Sequence, residues 1–125
     1  MQADLKAAFD AQMTMGHEHA RGGHLDAAYA CFERAHVLGQ WHTRAHWQSH
    51  LGLLRVGWRR KDAREVVGQA FRLVAMLIAT PLGRIPSGNT GGARIRPWRP
   101  MPIDRDAKRL LTADPRSARG MEGRR

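Results

Sequence analysis

HVLGQWHTRAHWQSHLGLLRVGWRRK, residues 36–61, decides how the rest of the chain is read. It holds four of the seven histidines and three of the four tryptophans of a 125-residue chain. His42, His46 and His50 recur every fourth residue, which on a helix makes one ridge. Trp47, Leu51, Leu54 and Trp58 recur at i, i+4, i+7 and i+11 and make a second ridge beside it. The second ridge is expected to be the seam between neighbouring helices.

Outward from this stretch, the same periodicity predicts helices over about 4–21, 25–38, 41–60 and 62–80. Leu5, Ala8 and Phe9 begin the first apolar stripe, and Gly22-Gly23 ends that helix. Leu25, Ala28, Tyr29, Phe32 and Ala35 make the second stripe, and Gly39 is a natural residue just past its end. Asp62-Ala63-Arg64-Glu65 has the spacing of a capping box. The fourth stripe follows through Val67, Ala70, Phe71, Val74, Leu77 and Ile78 until Pro81 stops it. Short loops between helices of this length force antiparallel neighbours. The expected fold is therefore all-α: two stacked antiparallel helix hairpins forming a four-helix array over residues 1–80.

The remainder differs in kind. Residues 81–103 hold five of the six prolines and several glycines, yet Ile85, Ile95, Trp98, Met101 and Ile103 are too apolar for a free linker. This segment is expected to be a strap packed on the helical body. A short helix over 104–111, capped by Asp104, should follow, and then a disordered basic tail over 112–125.

Charge is uneven. The chain has 21 basic and 11 acidic residues, a net +10, and the last third, from Pro81 on, carries most of the excess. Such asymmetry suits an anionic partner. Cys31 is the one cysteine, so no intrachain disulfide can form. Leu73–Ala79 is the longest apolar run and is far short of a membrane span. With Asp4 and Lys6 in place of an apolar leader, a soluble cytoplasmic protein without membrane contact is expected.

Two resemblances attach to these residues. Gly16 and Gly23 stand seven apart, with Ala28, Phe32 and Ala35 following at small–aromatic–small spacing, so the first hairpin resembles a tetratricopeptide repeat. That likeness implies stacked helix hairpins and a protein-interaction role. His19 and Gln40 depart from the pattern, standing where an aromatic residue and a proline are usual. The blocks ERAHVLGQWHTRAHWQSH (33–50), GWRRKDAREVVGQ (57–69), IPSGNTGGA (85–93) and PMPI (100–103) together resemble a small bacterial family of unknown function. That resemblance implies a helical body with a recurrent Pro/Gly segment and carries no activity.

Three groups can bear chemistry. Imidazoles on neighbouring helical turns can share zinc, nickel or copper. In a hairpin turning at Gly39, His36, His42 and His46 are expected to converge, with Cys31 and His50 as additional candidates. The competing reading makes them surface residues bonded to carboxylates such as Glu33 or Asp10. Arg55, Arg59, Arg60, Arg94, Arg96 and Arg99, with Trp98 among them, form a candidate surface for RNA, another polyanion or a protein partner. Gly88, Asn89, Thr90 and Gly91 read as strap turns, since no strand precedes them and no GK[ST] ending follows. Paired carboxylates and nucleophile–base pairs are not evident. The expectation is a non-enzymatic binding or adaptor protein, with a metal-free protein-interaction module and a polyanion binder as alternatives.

Overall fold

The structure is a computed structural model, and it describes residues 1–79, 82, 88–96 and 99–122. Among these residues there are six helices and no strand: α1 (Ala3–Arg21), α2 (Leu25–Gly39), α3 (Thr43–Arg59), α4 (Ala63–Ala79), α5 (Arg105–Ala113) and α6 (Pro115–Glu122). Helices α1 to α4 pack each on the next in chain order, and α5 returns to lie on α1 and α2 with α6 beside it. The array is all-helical.

Local chemistry sets the boundaries. Gly23 turns α1 into α2 at φ +80°, and Lys61 adopts φ 56° where α3 ends. Asp62 Oδ1 accepts the Glu65 amide at 3.1 Å, which is half of a capping box. The Glu65 carboxylate does not complete the box. It turns inward, where it accepts from Gln69 and from the Ala93 amide. Asp104 caps α5 by accepting the Ala107 amide at 2.9 Å.

Two apolar clusters form the core. Leu5, Phe9, Leu38, Trp41 and Leu111 join α1, α2 and α5. Ala28, Phe32, Leu53 and Val56 join α2 to α3. Phe32 lies between Gly16 and Gly52, where added Cβ atoms would come within 2.7 Å and 2.5 Å of its ring. Only residues without a side chain let α1 and α3 close on it from both sides.

Three expectations need correction. First, the inward face of α3 is not the Trp47/Leu51/Leu54/Trp58 ridge. It is Ala45, His46, Ser49, His50, Gly52, Leu53 and Val56, and Trp58 is 73% exposed. The small residues win the contact because they let α2 approach closely. Second, α4 is turned over. Val67, Phe71, Val74 and Leu77 face outward, while Glu65, Gln69 and Arg72 are buried. Those polar side chains go inward because backbone and imidazole partners await them there. Third, the tail expected to be disordered carries α6, which Asp114 starts by accepting the Ser117 amide at 3.0 Å. No helix among the described residues is long and apolar enough to cross a membrane.

Candidate metal centre

His36 near the end of α2 and His46 and His50 on successive turns of α3 bring their Nε2 atoms together. The separations are 2.8 Å for His36–His46, 3.2 Å for His36–His50 and 3.1 Å for His46–His50. All three residues are buried. Three imidazole nitrogens this close could hold one cation as a tripod.

The far side of the rings fixes their tautomers. His36 Nδ1 lies 2.8 Å from the Asn89 carbonyl oxygen, so it carries the proton and donates. His50 Nδ1 lies 2.6 Å from Gln69 Oε1. The Gln69 amide cannot be reversed, because its Nε2 donates to Glu65 Oε1 at 2.6 Å and to the Gly91 carbonyl at 2.8 Å. His50 Nδ1 therefore also donates. Both rings then present a bare Nε2 lone pair to the centre, 3.2 Å apart. A proton on His46 Nε2 can satisfy one of those lone pairs at a time.

Burial and mutual repulsion keep the cluster uncharged. His36 is held well below the ordinary imidazole value by burial, then by His46 and His50. Burial, His50 and Arg72 push His46 down to about 3. His50 falls to about 4, again through burial, with the Gln69 bond opposing. Neutral imidazole is the metal-binding form.

The strap builds the outer shell. Asn89 is itself fixed: its Oδ1 accepts the Gly91 amide at 2.9 Å, and its Nδ2 donates to the Arg96 and Arg99 carbonyls at 3.0 Å and 2.9 Å. Thr90 Oγ1 donates to Glu33 at 2.7 Å. Arg72 donates to the Gly92 and Ile95 carbonyls. Gly91 lies against the His36 ring at φ +84°, and an added Cβ would come within 2.7 Å of that ring. Gly88 also has positive φ, at +74°. The strap turns thus serve as lid and hydrogen-bond acceptor for the cluster.

The other candidates fall elsewhere. His42 is not in the cluster. It is the residue preceding α3, and its Nε2 meets Asp114 Oδ2 at 2.9 Å. The turn consumes residues 40–42, so His36 faces one and two turns further along α3 than a tight hairpin register predicts. His50, expected only as an additional candidate, is a full member. Cys31 is half-buried on α2 outside the cluster, and burial raises its thiol pKa.

The basic residues do not converge. Arg55 and Arg59 border a groove beside Trp58, and Arg59 donates to the Ala20 carbonyl. Arg60 pairs with Asp26 and lies 4.9 Å over the Tyr29 ring. Arg94 pairs with Asp62 at 3.5 Å. Arg96 and Arg99 are exposed, and Trp98 lies outside the described residues.

Sequence reasoning missed Glu65, Gln69 and Arg72. Their 4–3 spacing was the available signal: a polar stripe inside an otherwise apolar helix marks either its solvent face or a buried network.

A family model described as "Protein of unknown function (DUF3703)" matches residues 3–111. No curated protein and no solved structure matches the chain.

Proposed function

The chain belongs to the DUF3703 family of unknown function, and we propose that it binds one transition-metal cation through His36, His46 and His50. The observation that carries this reading is the pair of lone pairs, on His36 and His50, turned toward one another by acceptors on their Nδ1 atoms. Facing lone pairs in a buried site repel, and a cation at the apex turns that repulsion into coordination. A donor–acceptor–imidazole arrangement behind the ligands is how protein metal sites orient histidine.

The donor set favours certain ions. Three imidazoles suit zinc, copper or nickel, whereas calcium and magnesium need oxygen ligands. Among the described residues, no carboxylate or thiolate belongs to the cluster. The role is binding: the three rings are buried, and Gly91 of the strap lies against His36.

Calorimetric titration of metal-free protein with zinc, nickel and copper(I) tests this. One equivalent of at least one ion should bind, and the His36→Ala/His46→Ala/His50→Ala variant should not bind it. Equal binding by both proteins, or none by either, would sink the reading.

A further inference from the structure

We propose that two copies of this chain associate through the outer face of α4, packed antiparallel about a twofold axis. This goes beyond metal binding and does not depend on it.

Helix α4 packs on one helix, α3, among the described elements. Its remaining surface is inverted relative to an ordinary end helix, which needs a polar outer face to stay soluble. Val67 is 69% exposed, Phe71 64%, Val74 67% and Leu77 54%, with Trp58 at 73% beside them. From Val66 to Leu77 every residue of α4 that is not buried is apolar. Val67, Phe71 and Val74 have the 4–3 spacing of a helix–helix seam.

Area and charge identify the occupant. Side chains of this size at these exposures present roughly 700 Å² on each copy, close to the ~800 Å² per partner of a stable interface. A patch without charge suits an equally apolar surface, and its own copy supplies one. A groove of about 680 Å³ runs alongside, its α4 side lined by Val66 and Ala70 and its far side bordered by Arg21, Arg55 and Arg59. Arg59, Lys61 and Arg64 stand at the N-terminal end of the face, whereas the last turn of α4 holds no basic residue. Parallel packing would bring both basic ends together. Antiparallel packing sets each against the other helix's C-terminal carbonyls, where cations are favoured. Val67 then meets Val74 of the other copy, and Ala70 and Phe71 lie at the axis.

Sedimentation equilibrium on the full chain over a concentration series is the test. Wild type should be a dimer, and Phe71→Glu/Val74→Glu should weaken it by about a hundredfold or more with helical circular dichroism unchanged. Should that variant lose helicity, Val74→Lys alone reads the same contact. In a Cys31→Ser background, a short thiol crosslinker should join copies carrying Ala70→Cys and not copies carrying Arg64→Cys. A wild type monomeric at every concentration overturns the proposal, as does a dimer indifferent to these charges. Binding of this face to anionic vesicles by a monomer would also overturn it. Crosslinking of copies carrying Arg64→Cys would refute the antiparallel arrangement.

Discussion

Two imidazole sites, one at the residue preceding α3 and one beginning a turn further along at His46, do opposite things. His42 meets Asp114, a carboxylate already accepting the Gln2 and Ser117 amides and the Ser117 hydroxyl. His36, His46 and His50 point inward and meet each other. Burial lowers the pKa in both places. At His42 Asp114 opposes that drop, and at the cluster Arg72 and the neighbouring rings add to it. What an imidazole does here is decided by the group facing it: a carboxylate makes a structural tie, and neighbouring rings make a close, uncharged cluster, the ligand set of the proposed function.

The strongest way to break this contrast is to remove one ring from each site. His50→Leu should weaken metal binding by about a thousandfold or more, roughly 4 kcal/mol of the 10–16 kcal/mol typical of structural zinc. His42→Leu should leave metal affinity within about threefold of wild type and lower stability instead. Equal losses of affinity in the two variants, measured by competition with a chromophoric chelator, would erase the distinction.

A gentler cut targets the shell. Gln69→Leu removes the acceptor that holds the proton on His50 Nδ1, and such outer partners usually set 10- to 100-fold in affinity. Gln69→Glu keeps an acceptor and should recover most of the loss. If Gln69→Leu binds metal as well as wild type, the tautomer argument fails.

Acid sharpens the comparison on metal-free protein. The three cluster histidines have folded pKa values far below their unfolded value, so below about pH 6.5 the unfolded chain binds protons that the folded chain refuses. Stability therefore falls as pH falls, by about 2 kcal/mol between pH 7 and 6 for three such groups. Thermal melts across that range should show a clear drop in midpoint, and saturating metal should raise the midpoint at each pH without removing the drop, because the folded cluster is unprotonated with or without it. A flat profile would mean that the cluster takes up protons without opening.

Much of this was legible in the residues. Gly22-Gly23, Gly39 and Asp62 mark real helix boundaries, and the four-residue spacing of His42, His46 and His50 marks the right ridge. The ridge alone does not say which members converge, because that depends on how many residues the α2–α3 turn consumes. Gln69 was hidden by its company: in a helix whose apolar residues outnumber its polar ones, periodicity assigns the apolar stripe to the core. Here hydrogen bonds to the strap and to His50 outweigh that pattern. Helix α6 was hidden by composition. PRSARGME reads as tail until Asp114 is seen to cap it and Gly120 to lie against the Trp41 ring, within 2.4 Å of where a Cβ would stand.

That cap supplies the smallest test. Burial pushes Asp114 up, but the Gln2 and Ser117 amides, His42 and the Ser117 hydroxyl together hold its carboxyl well below the usual carboxylate range. A depressed folded value means the carboxylate's stabilisation is present above its unfolded pKa, near 4, and fades as pH falls below that. Asp114→Asn keeps the shape and one acceptor oxygen but sets an NH₂ where donors converge. It should cost about 1 kcal/mol at pH 7, the scale of a lost helix cap, and much less at pH 3. Metal affinity at pH 7 should not change, because no atom of the tripod touches this residue. Urea unfolding at the two pH values measures the cost. An Asp114→Asn penalty that persists at pH 3, or that brings a loss of metal with it, would show that the tie and the tripod are one network rather than two.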